Sequence, residues 1–360
     1  MKKIISAAMA AACVVPSQAE NTQTKLDTTN VQNISEVVVK AVRAPQSAPF
    51  AITNVQKQQL QDFAKSGKEL PFLFARTPGV LSWSENGVGT GTTYMRLRGA
   101  ADSRINVTID GVPLNSPEDQ CVFWANMNSY ASLLGSAQIQ RGIGTSTNGD
   151  GAFGGSISLA TATPAETPAM ELTGSYGSFN TMNAGASFST GLLWNHLIFD
   201  GAYHETSTDG FIHGTAGRSG SYYGGLTWLG NKYKISYKNI GNFEKTGQAW
   251  NGVLTSDYKT NDVFPNINSY KDLWNAGLGR VNTLVEDVVY DADAWAAGNY
   301  TVKPYLMRNG NKWDKTTDNF YQNHNILSFA WTPSEHWSHN MAIHYTYGRG
   351  YYKELKVNTP

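Results

Sequence analysis

The sequence is poor in cysteine and in charged residues. Its 360 residues include two cysteines, Cys13 and Cys121, and this number excludes both a disulfide framework and a thiolate metal cluster. Charged residues make up 16 % of the chain and balance to a formal net charge of +0. Proteins that bind nucleic acid usually carry a basic stripe or patch, so this balance argues against a nucleic-acid partner.

Long apolar runs are also absent. After the N-terminal stretch no segment of about twenty apolar residues occurs, and a membrane-spanning helix needs that length. If the protein lies in a membrane, it must therefore cross as β-strands. Glycine is frequent instead, with 35 residues, and so are tyrosine and tryptophan, with 18 and 10. This composition indicates many short strands and turns, with aromatic side chains available for a membrane girdle.

The N-terminus has the pattern of a secretory signal peptide. Two lysines precede an apolar stretch, residues 4–15, that is too short to span a bilayer as a helix. The small residues Ser17 and Ala19 predict cleavage after Ala19, so residues 1–19 form the predicted signal peptide. The alternative is a lipoprotein with Cys13 as the lipidated residue, but the apolar run continues past that cysteine. We therefore expect the chain to be exported.

Residues 20–44 form a predicted leader. Residues 20–33 are polar and lack periodicity, which is typical of a flexible segment. Residues 34–39, with the sequence ISEVVV, are instead rich in valine, which predicts a short extended segment. Two interpretations stay open: this segment adds as a strand to the edge of a partner's sheet, or it is the first strand of the next domain.

Residues 45–163 are predicted to form a compact mixed α/β unit. Helical patterns cover residues 56–65 and 69–76, and the second pattern ends before Thr77-Pro78-Gly79. Asp110-Gly111 is a strong hairpin signal. Alternating segments predict strands at residues 94–98, 105–109, 112–114, 139–141 and 156–159.

The pattern changes after a linker at residues 162–168. Residues 168–360 alternate apolar and polar side chains with period two, and we count seven strands. A soluble β-sandwich would alternate as well, so alternation alone does not identify a membrane protein. The connections discriminate better, because short turns alternate with longer links at residues 205–220 and 242–322. Outer-membrane barrels have this pattern of short periplasmic turns and long extracellular loops.

Five short motifs follow one another along the chain. They are Ser35 to Val39 (SEVVV), Thr77 to Val80 (TPGV), Arg96 to Gly99 (RLRG), residues 107–113 (VTIDGVP), and residues 138–142 (QIQRG) with the glycines that follow up to Gly155. Each motif is weak singly. In this order, behind a signal peptide and ahead of alternating strands, they make the whole chain resemble TonB-dependent outer-membrane receptors.

The resemblance implies a fold, a location and partners. The fold is a membrane β-barrel of the 22-strand type, incomplete in this chain, with an N-terminal mixed α/β plug domain at residues 45–163. Residues 34–39 match the TonB box, so Glu36, Val37, Val38 and Val39 belong to the segment that the TonB energy-coupling protein pulls from the periplasm. The receptor would lie among the lipids of the outer membrane of a Gram-negative bacterium and bind a small extracellular ligand.

The resemblance also implies roles for individual plug residues. In the family two motif arginines pair with barrel glutamates and hold the plug in place, and Arg98 and Arg141 occupy those positions. The alternative is that both are ordinary surface charges.

Ligand in this family binds to apical plug loops, which correspond here to residues 83–93, 100–104 and 116–127. The candidate ligand-binding residues on these loops are Trp83, Glu85, Arg104, Phe123 and Trp124. Aromatic rings provide large contact areas, and an arginine could hold an anionic chelate. For Phe123 and Trp124 the alternative is packing of the plug against the barrel wall.

Sequence motifs of the common nucleotide-binding and catalytic sites are missing. The glycine-rich stretches 87–91 and 142–155 lack the Gly-Lys-Ser/Thr ending of a phosphate loop, and neither Gly-x-Ser-x-Gly nor His-Glu-x-x-His occurs. His196, His204 and His344 lie on the polar, lumen-facing side of separate predicted strands. Lumen polarity accounts for them, so we expect no enzyme activity, cofactor or metal site.

The substrate prediction depends on two kinds of N-terminal domain that some members of the family carry and that we do not find in this sequence. An N-terminal signalling domain would not fit, and no carboxypeptidase-like domain of the kind seen on many glycan importers occurs. We therefore expect an iron chelate (siderophore or haem) or a cobalamin-like ligand. Twenty-two strands would need on the order of 400 residues, and an open seven-stranded sheet leaves two bare edges. A truncated, non-functional fragment and a non-transporting outer-membrane binding protein are therefore the alternative functions.

Overall fold

The computed structural model describes residues 43–45, 47, 49–143, 152–212, 214–249, 269–275, 288–290, 302–304, 309–311, 316–334 and 336–354. The predicted signal peptide and the TonB-box segment, residues 34–39, lie outside the described residues, as does most of the predicted link 242–322.

A small mixed unit precedes residue 162, and we call it the plug. Its five-stranded sheet has the strand order β1-β6-β7-β4-β5, and a separate hairpin pairs β2 with β3. Its elements are β1 Ala51–Gln56, α1 Lys57–Ala64, α2 Leu70–Phe74, β2 Val80–Ser84, β3 Thr93–Leu97, β4 Ile105–Ile109, β5 Val112–Pro113, β6 Leu134–Arg141 and β7 Gly155–Thr161.

The second unit is a seven-stranded antiparallel sheet, which we call the wall. Its strand order is β16-β15-β12-β11-β10-β9-β8, so among the described strands β8 and β16 are the open edges. The strands and the short elements between them are β8 Ala169–Gly177, β9 Thr181–Ser189, β10 Leu197–Thr208, β11 Gly217–Leu229, β12 Tyr233–Gly247, α3 Tyr270–Asn275, β13 Val288–Tyr290, β14 Val302–Pro304, β15 Thr317–Ser334 and β16 Trp337–Lys353.

Local sequence explains the plug elements. α1 begins with a capping box, in which Gln56 and Gln59 satisfy each other's backbone amides, and it buries Leu60 and Phe63 against the sheet. Asp110 and Gly111 both have positive φ values, 49° and 83°, as the two central residues of a type I′ turn require. This turn joins β4 to β5 and confirms the hairpin predicted from Asp110-Gly111.

The wall has two chemically different faces. Alternate residues such as Leu226, Tyr237 and Leu327 are exposed on the outer face, whereas Ser221 and Asn242 are fully buried on the inner face. An apolar, aromatic outer face suits lipid, and a polar inner face suits a filled lumen. Within the described residues, no helix is both long enough and apolar enough to cross a bilayer.

The wall strands are longer than predicted. β10 continues to Thr208 and β11 begins at Gly217, while β12 and β15 pair as far as Gly247 and Thr317. The links predicted at 205–220 and 242–322 are shorter by these residues. The predicted bounds were too wide because the strands extend beyond their apolar part, where polar residues keep the antiparallel hydrogen bonding.

The packing of the plug core predicts how a substitution at Ile157 changes stability. Ile157 lies on β7 in the middle of the plug sheet and is 0 % exposed. We expect Ile157→Val to lower the free energy of unfolding of the plug by about 1 kcal/mol, because one buried methyl group is lost. Ile143→Val is the matched control, since Ile143 is 75 % exposed. Equal urea midpoints for the two variants would contradict this packing.

Candidate functional site at the interface of plug and wall

The plug packs against the polar inner face of the wall. Buried side chains of this face come from neighbouring strands, with His204 and Thr206 on β10, Asn242 and Glu244 on β12, and His324 on β15. The short 3-10 turn Trp124–Met127 of the plug packs against β12 and β15, and Gly67 of the plug lies beside Thr206 on β10. The interface is therefore polar on its wall side and is built from strands far apart in sequence.

One ion pair joins the plug to the wall within the described residues. The Lys238 ammonium on β12 lies 2.6 Å from Asp110 Oδ2 and donates to Thr161 Oγ1 at 2.5 Å. Thr161 also donates to Asp110 from its backbone amide, at 3.0 Å, and from its hydroxyl, at 2.8 Å. The two charged side chains are 14 % and 13 % exposed, so the pair is largely shielded from water.

The protonation of Asp110 follows from these contacts. Burial alone would raise the pKa of the carboxyl, but the Lys238 ammonium and the bonds from Thr161 outweigh burial and hold the pKa below its ordinary value of 3.8. Asp110 is therefore an anion at neutral pH. Sequence reasoning missed this contact, although it placed Asp110 in a motif turn.

A second attachment lies at the other end of the wall strands. The Phe211 amide, in the link between β10 and β11, donates to Asn86 O at 2.9 Å. Thr92 Oγ1 donates to Gln248 Oε1 at 2.7 Å, just beyond β12. The plug loop between β2 and β3 is thus bonded to the ends of wall strands that carry the longer links.

Glu69 is a buried acid at the same interface. Its side chain is 1 % exposed, and neither carboxylate oxygen has a hydrogen-bond partner in the part of the chain that the structure describes. Thr93, Asn128 and the Gly91 backbone face the carboxyl but do not outweigh its desolvation, so burial raises its pKa from 4.5 to about 8. The carboxyl group of Glu244 on the wall lies within electrostatic range of Glu69. Glu69 is therefore protonated at neutral pH.

The structure brings two of the predicted ligand residues together on the β2–β3 hairpin. Trp83 is 40 % exposed and stacks on Tyr94 with ring centroids 5.4 Å apart. Glu85 accepts a hydrogen bond from the Tyr94 hydroxyl at 2.7 Å and another from the Ala249 amide at 3.3 Å. Trp83 thus keeps a free ring face, whereas the Glu85 carboxylate links the plug to the wall.

The other three predicted ligand residues lie elsewhere on the plug. Arg104 ends the short 3-10 turn Asp102–Arg104 and is exposed. Phe123 is 57 % exposed. Trp124 is 2 % exposed and packs edge-to-face on Phe74 at 5.9 Å, so its ring belongs to the plug core. Arg104 and Phe123 thus remain accessible to a ligand.

The two motif arginines lie at one end of the plug sheet. Arg141 ends β6 and donates to Pro78 O at 3.3 Å, and Arg98 is exposed beside Gly142. Neither forms an ion pair with a carboxylate of the described strands. Their role in holding the plug stays a prediction.

The predicted histidines are not grouped. His196 bonds to Leu229 O at 2.7 Å, His204 is buried on the inner face of β10, and His344 is exposed on β16. In the described ranges, no three His, Cys, Asp or Glu side chains are arranged to hold a metal ion.

Comparison with known proteins agrees with this architecture. Residues 44–156 match the family model of the TonB-dependent receptor plug domain. This family consists of receptors and not of enzymes. No curated protein matches the sequence.

Several solved structures share the fold. The ferric yersiniabactin uptake receptor FyuA from Yersinia pestis is 14 % identical with a TM-score of 0.61, over 88 % of this chain and 44 % of its own. The ferric citrate transporter FecA is 15 % identical with a TM-score of 0.60, over 86 % and 41 %. The siderophore receptor PiuA from Acinetobacter baumannii is 12 % identical with a TM-score of 0.58, over 87 % and 38 %.

This chain spans less than half the length of these receptors. Identities this low establish the fold alone. Residues 44–156 therefore form a TonB-dependent receptor plug domain, and the open strand wall against which this domain packs shares the fold of these solved uptake receptors.

Proposed function

We propose that this chain gates the energised uptake of a scarce nutrient across the outer membrane. The observation that carries the proposal is a plug bonded to the wall at two places, to the inner face through Asp110–Lys238 and to the far ends of the strands through the Asn86 and Thr92 contacts. In a complete barrel, bonds of this kind would hold the plug in the lumen and so close the pore. They can be broken without covalent chemistry. An adhesin or a passive binding protein has no need of a gate of this kind.

The proposed ligand is an iron chelate, either a siderophore or haem, or a cobalamin-like molecule. FyuA and FecA are described as receptors or transporters of ferric chelates, and PiuA as a siderophore receptor. In this chain the exposed rings of Trp83 and Phe123 offer contact area at low entropic cost. Arg104 offers a guanidinium for an anionic chelate. Glu85 and Trp124 contribute by holding the loops in place.

The proposed energy source is the TonB protein in the periplasm, acting on Glu36, Val37, Val38 and Val39. The position of the described N-terminal end supports this direction of pull. Arg43 lies within electrostatic range of Asp110, whose partner Lys238 is five residues from the start of β12 at Tyr233. The short turn between β11 and β12 lies at that end of the wall, and outer-membrane barrels have their short turns on the periplasmic side.

Deleting residues 34–39 tests the proposal. We expect cells with the deletion to bind the ligand as before and to lose energised uptake down to background, because binding and coupling use different parts of the chain. The assay compares surface binding with accumulation, using ⁵⁵Fe-labelled ferric siderophores and ferric citrate, haem and labelled cobalamin. A deletion of equal length within the leader, residues 24–29, is the matched control.

The outcomes separate the alternatives. Uptake that persists without residues 34–39 would contradict TonB-dependent transport. Binding without uptake in the unaltered protein would favour a non-transporting binding protein. An absence of both would favour a non-functional fragment.

A further inference from the structure

The chain enters the plug through one arginine that bridges two strands. Arg43 follows the last residue of the TonB-box segment, Val39, by four residues. Its guanidinium donates to Ser136 on β6, at 2.9 Å to Oγ and 3.2 Å to the carbonyl oxygen. It also donates to Ser158 on β7, at 3.2 Å to Oγ and 2.9 Å to the carbonyl oxygen. Bonds from a charged donor are stronger than neutral ones, and the planar fork suits several acceptors at once.

The next residue is fastened as well. The Ala44 amide donates to Gln138 Oε1 at 2.9 Å, and Gln138 Nε2 donates back to Ala44 O at 3.0 Å. Gln138 also donates to Asn54 Oδ1 on β1 at 2.9 Å. Ala44 and Gln138 are both buried, so these bonds are shielded from water. Arg43 and Ala44 are therefore attached to β6, β7 and, through Gln138, to β1.

The next strand, β1, is oriented so that a pull on the N-terminal segment would separate it from β6 starting at one end. Among the described strands, β1 is an edge strand of the plug sheet and pairs only with β6. Ala51 pairs with Arg141 and Gln56 pairs with Ser136, so β1 begins at the end of β6 far from Arg43 and runs back toward Ser136. A chain drawn from its N-terminus toward Ser136 would open this ladder from Ala51, one residue pair at a time. Opening pairs singly needs less force than sliding a whole strand.

We propose that Arg43, held by Ser136 and Ser158, is the latch that keeps β1 in the plug sheet until the N-terminal segment is pulled. Arg43 is a positioning residue and does not contact the ligand. Since at most about 14 Å of extended chain separates Arg43 from Val39, a pull on residues 34–39 reaches the latch first. The latch also lies beside Asp110, so its release exposes the end of the plug that is paired with Lys238. This inference rests on the proposed function for the origin of the pull.

The test is mechanical and does not depend on a ligand. The full chain, in lipid nanodiscs and with Cys121→Ser, is pulled through a cysteine handle at Glu36→Cys by force spectroscopy. In the parent we expect a first rupture, that of the Arg43 contacts, before β1 opens. This rupture should be lost in Arg43→Gln and should occur at an intermediate rupture force in Arg43→Lys. Arg96→Gln is the matched control, because exposed Arg96 makes one long bond, of 3.4 Å, to Gly99 O.

Hydrogen exchange without force gives a second readout. We expect the β1 amides to exchange about 10- to 100-fold faster in Arg43→Gln than in Arg96→Gln, the factor that loss of a hydrogen bond to a charged group implies. If Arg43→Gln does not fold, Ser136→Ala/Ser158→Ala removes two acceptors and should give a smaller change of the same sign.

Equal first-rupture forces and equal β1 exchange in the Arg43→Gln and Arg96→Gln chains would overturn the latch. Uptake that requires residues 34–39 would then still support the proposed function. If uptake instead proves independent of residues 34–39, the proposed function fails while the rupture at Arg43 can still be present. The two failures are therefore distinguishable.

Discussion

Replacing Lys238 by methionine is expected to loosen the plug by about 3 kcal/mol, since breaking one side of a shielded ion pair leaves the other charge uncompensated. Asp110 would keep its bonds from Thr161 but lose the ammonium at 2.6 Å. The measurement is the urea midpoint for protease access to the plug in reconstituted protein. Lys232→Met is the matched control, because exposed Lys232 makes one long-range bond, to Pro333 O.

The double variant Asp110→Asn/Lys238→Met should recover most of this loss. Asparagine tolerates the positive φ of position 110 and can still accept the Thr161 amide bond, so the type I′ turn survives without a buried charge. If the double variant is as unstable as Lys238→Met, the loss does not come from the unpaired carboxylate and the account of the pair is wrong.

The same pair predicts a response to acid. The pKa of Asp110 is lowered in the folded protein, so its contribution to stability is fully present above the unfolded value of about 3.8 and is lost as the pH falls through the folded pKa. Plug release in the parent should therefore become easier below pH 4. The double variant should lack this part of the acid dependence.

Glu69→Gln is expected to remove a pH dependence of plug stability of about 3 kcal/mol. This dependence runs opposite to that of Asp110, because the contribution of Glu69 to stability is lost as the pH rises. The folded pKa of about 8 lies above the unfolded value of 4.5, so the folded plug keeps a proton that the unfolded chain releases. The contribution of Glu69 to stability is therefore greatest below pH 4.5 and falls as the pH rises toward 8. Between pH 5 and pH 8 the parent should lose about 3 kcal/mol, on the order of 1.4 kcal/mol per pH unit over most of that range.

Glutamine has the same shape and no charge, so the Glu69→Gln plug should lose this pH dependence. Above pH 8 the parent would carry a buried anion facing Glu244, and the variant would be the more stable protein. Urea midpoints at pH 5 and pH 8 measure the effect. Glu118→Gln, at an exposed plug position, is the control and should follow the parent. A Glu69→Gln plug that loses as much stability as the parent between these pH values would rule out this assignment.

Patterns local in sequence predicted most of the elements correctly. The period-two alternation placed the wall strands, and the helical spacing placed α1 and α2, because which residues are buried along one element depends on the period of that element. The Asp110-Gly111 turn was predictable for the same reason, since two adjacent residues with positive φ require such side chains. Polar strand ends such as Glu244 and Thr246 were not predictable from the sequence. The hydrogen bonds between strands continue there, beyond the alternating apolar residues by which a strand is recognised.

The amino-acid sequence by itself thus determined a plug followed by wall strands, the apolar face of each strand, and the motif positions of Trp83, Arg98 and Arg141. Only the tertiary structure decided which groups meet across the interface. Lys238 reaches Asp110 across 128 positions of the chain, Arg43 reaches Ser158, Glu69 faces Glu244, and Trp124 turns into the core. The physical reason is that strand periodicity depends on near neighbours, whereas pairing across an interface depends on how two folded units dock.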